Sequence, residues 1–508
     1  MEGGPLMYRR PLIALICILL VWSAAACSRA DVPDPRAGGT ADRATISIMA
    51  NLFTREPPSD MLLSLIEEET ETDLDITWVP IEAYVDKLNS SFSTRTLPQV
   101  VYLKNQSTFQ HIKELIYEEH FWEIGPYLHE YEHLGKLKPG ILANTEVNGK
   151  IYALYLGRPL ARQGVIYRQD WADRLGLDAP GNVDELYEML RQFTEEDPDG
   201  NGLADTIGLS DRNDLVYGAF KTVASYFGTP NYWGMQDGRL LPEFMFPAYR
   251  ETMDYFRMLV QNGYMNADFP LTSKDNQWDL FVQGKAGVYI GSLEDVQRLQ
   301  QELARHDTNA LLDVQNLIAG PDGGYGIWSI PGYGNVLLFP KESVRSEEEL
   351  RRILTFYDAT MTPKIANLMF WGIENRHYTV ENGKAKEIED HDLIDQEVRN
   401  YRGLLIGEPE TNGRYEASRT VPAAVKAEAL IHENEQFLIH DPTNPLYSPT
   451  DVEKGTLLQE IITNATYEYI LGEIDAAGFD AAIQAWLEQG GEQVMQEYNR
   501  AYRMHKYK

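Results

Sequence analysis

Between residues 45 and 103 the chain alternates short apolar runs with stretches whose apolar positions recur every three or four residues, the two periods that separate strands from amphipathic helices. Thr45–Asn51 (TISIMAN) predicts a buried first strand. Asp60–Glu69 then sets Met61, Leu62, Leu65 and Ile66 on one helical face, Leu74–Val79 returns to an extended run, and Lys87–Phe92 begins a second helix. Gln99–Leu103 (QVVYL) has the unbroken apolar character of a strand covered on both faces. Farther on, Gly149–Leu156 and Gly164–Tyr167 predict successive extended segments, and Asp170 opens a helix. Ala286–Ile290 predicts another strand, and Ile327–Phe339 a pair of extended segments around Gly332 and Gly334. From Leu457 onward the pattern is helical, with Leu457, Ile461, Tyr467, Ile470 and Leu471 expected in the core. The alternation is that of an α/β protein.

The N-terminus follows a different rule. Arg9 and Arg10 precede an apolar run, Leu12–Ala26, that is too short to cross a bilayer as a helix and ends in three alanines before Cys27. An export signal over residues 1–26, cleaved before Cys27, is expected. The only other cysteine, Cys17, lies inside the discarded segment, so no disulfide framework exists. The arrangement resembles the lipobox of bacterial lipoproteins, which implies that Cys27 carries a diacylglyceryl group, with further acylation giving stable anchoring. Residues 27–45, rich in Pro, Gly, Ala and charge, read as a flexible tether. The rest of the chain is longer than one core usually supports, so at least two domains are expected, with a first crossing between lobes near residues 149–170.

Lysine and arginine total 45 against 77 acidic residues, a net charge of −32. Such a surface repels nucleic acid and anionic lipid, although a groove can hold a local charge of its own.

The sharpest local chemistry lies between residues 197 and 205. Asp197, Asp199, Asn201 and Asp205 place oxygen side chains at loop positions one, three, five and nine, Gly202 stands at the turn, and the Leu203 carbonyl falls at position seven. Calcium takes six to eight oxygens in such a loop. Gly208 stands where an EF-hand has its bidentate glutamate, so calmodulin-like switching is not expected and water or another carboxylate must complete the shell; an acidic Gly/Asn turn without an ion is the alternative.

Sugars present apolar faces ringed by hydroxyls, and their sites pair aromatic platforms with polar side chains. Tyr232-Trp233, Trp278, Trp328 and Trp371 lie in segments rich in Gly, Asn, Asp or Gln, and Trp233, Trp278, Trp328, Trp371 and Tyr378 are candidate contacts. His377 is expected in a satisfied surface turn. Arg158 and Arg162, after the GKIYAL segment, could clamp a carboxylate if the ligand is a uronide, although solvated loop arginines are the commoner case.

GKIYAL (Gly149–Leu154), YRQDWADRLGL (Tyr167–Leu177), DPDGNGLADTIGL (Asp197–Leu209), FVQGKAGVYIG (Phe281–Gly291), WGIENRHYTVENGK (Trp371–Lys384) and YILGEI (Tyr469–Ile474) occur in this order. Together they resemble the family 1 extracellular solute-binding proteins, in particular the long subgroup associated with oligosaccharide import. Trp371 stands where that subgroup has Tyr, and Asn375 where it has Gly. The resemblance implies a periplasmic-binding-protein-like type II fold, two α/β lobes joined by a hinge around a ligand cleft. It places residues 46–164 with 320–375 in one lobe and 165–319 with 376–508 in the other. It also implies a monomeric carrier on the outer face of a bacterial cell membrane, delivering carbohydrate to the permease of an ABC importer, with the loop at residues 197–205 holding structural calcium. A secreted carbohydrate-active enzyme is the main rival, yet no segment marks a carboxylate pair, and Gly-x-Ser-x-Gly, HExxH and P-loop signatures are absent. A peptide binder or a sensor subunit would use the same body.

Overall fold

The computed structural model describes residues 43–104 and 106–506; Cys27, the export segment and nearly all of the tether lie outside them. Two sheets organise the rest. The first has five strands, β1 (Thr45–Leu52), β2 (Asp73–Pro80), β3 (Val100–Leu103), β4 (Leu154–Gly157) and β9 (Tyr333–Leu338), in the order β2-β1-β3-β9-β4. The first three are parallel, with Ile48 opposite both Ile76 and Val100, and β9 runs antiparallel to β3 and β4. A central parallel strand is covered on both faces, which is why Ile46, Ile48, Met49 and Ala50 are all buried.

The second sheet has four strands, β5 (Gln163–Arg168), β6 (Ile207–Ser210), β7 (Ala286–Ser292) and β8 (Leu312–Gln315), in the order β8-β5-β7-β6. Its two faces are legible in the alternation of side chains along a strand. Val165, Tyr167, Val288 and Ile290 join an apolar cluster with Trp171, Phe193, Phe220 and Phe256, whereas Ile166 and Tyr289 join another with Leu299, Leu303 and Ala427. Among the covering helices, Val183–Glu195 starts where the Asn182 side chain accepts the Glu185 N–H at 2.9 Å, an N-cap.

The chain passes between the sheets through paired segments. Arg158 N–H donates to the Gly332 carbonyl at 2.8 Å and Ile330 N–H to the Leu160 carbonyl at 2.8 Å, so the passage out and the passage back are hydrogen-bonded to each other. These bonds place the return at residues 329–333, later than the expected boundary at 320, because Ile327 and Trp328 are buried in the second core. The expected assignment of residues 376–508 to the second lobe is also corrected. Ile394, Val398, Tyr401 and Leu404–Ile406 pack in the first core, and the chain crosses again only near residues 417–421.

The C-terminal helices close against the second lobe. Pro449–Leu471 is capped by the Ser448 hydroxyl, which accepts the Asp451 N–H, and packs on Pro247–Gln261. Ile470 is fully buried there, but Leu457 is 47% exposed, contrary to its core expectation, because it lies on the outer side of that helix.

The interlobe cleft as candidate functional site

Where the crossings leave the two sheets, the walls enclose a cleft of about 1120 Å³. The first lobe contributes Lys138, Gly157, Phe370, Trp371, Arg402 and residues 385–389; the second contributes Leu293, Glu294, Arg305 and the helix Pro422–Glu433. Charge in this lining is balanced, with eight lysine and arginine residues and eight glutamates, although the whole chain carries 45 against 77. The acidic surface therefore does not extend into the cleft.

Arg158 and Arg162 stand on the first crossing, at the mouth of β4 and β5. Arg162 is committed, its Nη1 2.7 Å from Glu294 Oε2. Arg158 is not: among the described residues it has no carboxylate within ion-pair distance and no side-chain hydrogen bond. Its side chain lies across Gly334, where a Cβ would fall 2.2 Å from Nε. Solvent reaches it, yet desolvation by the surrounding walls, and then the like charge of Arg162, pull its pKa below the usual guanidinium value. Glu294, although paired with Arg162, opposes this shift from a distance, as do Tyr102 near the end of β3 and Tyr217 from the second lobe. A carboxylate placed here would gain a planar, unshared donor fork.

The candidate aromatics divide. Trp371 lines the cleft: the residue is 6% exposed, Nε1–H donates to the Tyr415 carbonyl at 2.9 Å, and Tyr378 sits behind it at 6.2 Å between ring centres. Tyr378 thus supports the wall and does not form it. Trp328 is buried beneath the crossing, its Nε1–H held by Thr222 Oγ1 at 3.1 Å and its face met by Tyr217 at 5.7 Å, beside a cavity of about 10 Å³. Trp278 and Trp233 are away from the cleft. The Trp278 N–H donates to Glu302 and its ring packs on Tyr289, in the cluster with Ile166 and Leu299 on the other face of the second sheet. Trp233 meets Tyr498 at 5.0 Å in the C-terminal helical cluster.

His377 is not at the surface. It is fully buried, its Nδ1 accepting the Ile373 N–H at 2.9 Å and its Nε2 2.8 Å from Glu397, which fixes the turn after Trp371. Asn375 in that turn has φ +64°, a left-handed conformation that asparagine tolerates better than most residues. Arg305, Arg402, Arg414 and Arg419 were not among the sequence candidates, and all four line the cleft.

The loop at residues 197–205 is exposed and lies outside this cleft's lining. Asp197 accepts the Asn201 N–H at 3.0 Å and the Gly202 N–H at 2.9 Å, the Asn201 amide bridges Asp199 and Asp205, and Lys285 Nζ is 2.6 Å from Asp205. Among the described residues no three acidic, histidine or cysteine side chains stand together at metal-holding distance. The donor set, all oxygen, nonetheless has the chemistry of a hard-cation loop. Gly208 explains the missing glutamate: it lies in β6, and a Cβ there would fall 2.4 Å from the Leu190 carbonyl.

The sequence pattern of the bacterial extracellular solute-binding proteins matches residues 60–358. The chain belongs to that family. It is 38% identical over 503 residues, 98% of this chain and 99% of the relative, to the polygalacturonan/rhamnogalacturonan-binding protein YtcQ of Bacillus subtilis (strain 168). It is 31% identical over 501 residues, 95% and 96% of the two chains, to Lipoprotein LipO of the same organism. The fold matches, at TM-score 0.66 and 17% identity over 91% of this chain and 99% of the other, the Streptococcus pneumoniae substrate-binding protein FusA, solved as an EF-hand mutant with fructo-nystose. As a solute-binding protein the chain has the type II two-lobed architecture, and the cleft is where such a fold takes its ligand. Among the described residues no helix is long and apolar enough to cross a membrane.

Proposed function

We propose that this solute-binding protein captures an acidic oligosaccharide, a uronide, and presents it to the permease of an ABC importer. The observation that carries the reading is Arg158, a guanidinium on the crossing between the lobes that is unpaired among the described residues, beside an Arg162 already neutralised by Glu294. A neutral sugar gives no reason to hold one arginine free in a protein with so many carboxylates; a ligand carboxylate does. Relatedness to a polygalacturonan/rhamnogalacturonan-binding protein over nearly the whole chain supports the same chemistry. Trp371 supplies an aromatic wall for the sugar face. Closure of the lobes on the ligand would desolvate it and mark the loaded carrier for the permease.

In this reading Cys27 is acylated and holds the protein, as a monomer, on the outer face of the cell membrane, in line with the related lipoprotein. Asp197, Asp199, Asn201, Asp205 and the Leu203 carbonyl would hold one calcium ion, with Lys285 released from Asp205. The ion would tie the turn after the helix Val183–Glu195 to β6 and takes no part in sugar capture. No reaction is assigned to the protein.

Calorimetry with galacturonate oligomers, with the same oligomers reduced to the neutral sugar, and with neutral glucans tests the reading, with product analysis of each mixture. Tight binding of the acidic oligomer, recovered intact, supports it. Equal binding of the reduced oligomer overturns the uronide assignment, and cleavage overturns the carrier. For the loop, a chelator should lower the melting temperature of the wild type and leave that of Asp199→Ala unchanged.

A further inference from the structure

Arg158 is not the only uncommitted cation in the cleft. Most of the other lining cations are engaged: Arg402 with Glu387, Lys138 with Glu410 at 3.8 Å, Lys386 with Glu381 at 3.9 Å, and Arg414, itself buried, with the Gly407 carbonyl at 3.2 Å. Arg305 and Arg419 have neither an ion pair nor a side-chain hydrogen bond among the described residues, although glutamates equal the cations in the same walls. They come from different parts of the fold. Arg305 follows the helix Val296–Leu303 in the second lobe, and Arg419 lies on the crossing near residues 417–421. Arg305 is solvent-exposed and Arg419 half-buried. Glu302, which Arg305 approaches electrostatically, is already held by Arg298 at 2.8 Å and by the Trp278 N–H.

Three arginine forks would present six donors to the roughly four lone-pair sites of one carboxylate, so three cations on three separate segments cannot all hold it through both arms. A polymer with a carboxylate on successive rings offers one to each. We infer that the cleft reads an oligouronide of three or more units, with Arg419 and Arg305 as specificity-determining residues for the carboxylates beyond the one held by Arg158. The inference rests on the acidic-sugar reading above and adds ligand length and the residues that measure it. Arg158, on the crossing between the lobes, sets whether an acidic sugar binds. Arg305, exposed, and Arg419, half-buried, form pairs screened by solvent, whose contribution falls as salt rises.

The test is calorimetry on the full-length, detergent-solubilised protein with galacturonate dimers, trimers and tetramers, and with the carboxyl-reduced tetramer, at two salt concentrations. Arg305→Gln with Arg419→Gln should weaken tetramer binding by about tenfold at low salt and dimer binding by much less, the effect expected of two solvent-screened pairs. The loss should shrink at high salt, and Arg419→Lys should recover part of it. Thermal melts of each variant establish that the fold is kept. Equal losses on dimer and tetramer, or no loss on either, overturn the inference while leaving the acidic-sugar reading standing if Arg158→Gln still abolishes the preference for the acid. Equal binding of tetramer and reduced tetramer by the wild type overturns both.

Discussion

Two cations near the crossings show opposite uses of charge. Lys113, on the helix Gln106–Tyr117 that follows β3, is fully buried, and its Nζ donates to the Asn444 carbonyl at 2.5 Å and the Leu446 carbonyl at 3.1 Å. It ties the first lobe to the segment that leads into the C-terminal helices. Arg158 sits on the first crossing with solvent access and, among the described residues, no ion-pair or side-chain hydrogen-bond partner. Burial depresses both pKa values, most strongly that of Lys113, which is pulled down to about 7 while Asp441 and Asp451 oppose the shift. The lysine's Nζ donates twice within the fold, whereas the arginine's side chain has no protein acceptor among the described residues and is free for the ligand proposed above. A satisfied buried cation is architecture, and an unsatisfied one in a concavity marks a ligand's place.

The comparison breaks first at Lys113. Lys113→Met removes the donor from two buried carbonyls, and denaturant unfolding should show a loss of roughly 2–4 kcal/mol. Ligand affinity of the folded fraction should change far less than stability. The pH dependence follows from the proton count. Between pH 7 and 10.5 the unfolded chain keeps the lysine proton that the folded chain has released, so Lys113 makes stability rise with pH across that window. Asp441, buried against Thr443 and with Lys221 and Glu243 in reach, is raised from 3.8 to about 6. There the folded chain holds the extra proton, so stability falls as pH rises from about 4 to 6. Lys113→Met should remove the alkaline rise and Asp441→Asn the acid fall, each read as a difference from the wild-type unfolding curve.

How much of this contrast the sequence showed depends on whether the signal is local. The unbroken apolar runs at Thr45–Leu52 and Val100–Leu103 were legible because a covered parallel strand needs no polar side, and Arg158 was legible because it follows a readable strand. Trp278 and Trp233 misled because polar neighbours say nothing about which way an indole points. Trp278 sends its N–H to Glu302 and its ring inward, so a polar neighbour satisfies a buried aromatic. Arg305, Arg402, Arg414 and Arg419 went unseen because the cleft wall is assembled from segments spread between Lys138 and Glu435, which no spacing rule joins. The lobe boundary at residues 376–406 was misplaced for the same reason: Ile394 and Leu404–Ile406 return to a sheet whose last strand ended at Leu338.

Arg158→Gln sharpens the contrast from the other side. It keeps bulk and hydrogen bonding but loses the charge and the fork. Affinity for a galacturonate oligomer should fall by about 10- to 100-fold, the 1.5–3 kcal/mol of a charge-assisted bond, while the melting temperature stays within about a degree of wild type. A large loss of stability instead would place Arg158 with Lys113 as architecture.

The smallest effect is the most discriminating. Gly334 lies directly beneath Arg158, where a Cβ would fall 2.2 Å from Nε and 3.0 Å from Cδ. The obstructed atoms belong to a flexible side chain, so Gly334→Ala should move the guanidinium and leave the backbone in place. Replacing a glycine in a compatible conformation narrows the unfolded ensemble, and stability should hold or rise by about 0.5 kcal/mol. Affinity should nevertheless fall by about fivefold, because a donor fork displaced by an ångström no longer meets both carboxylate oxygens. Calorimetry and thermal unfolding on the same sample read the two quantities together. Movement in opposite directions would locate the value of Gly334 in the site, since a purely structural glycine would lose stability with affinity.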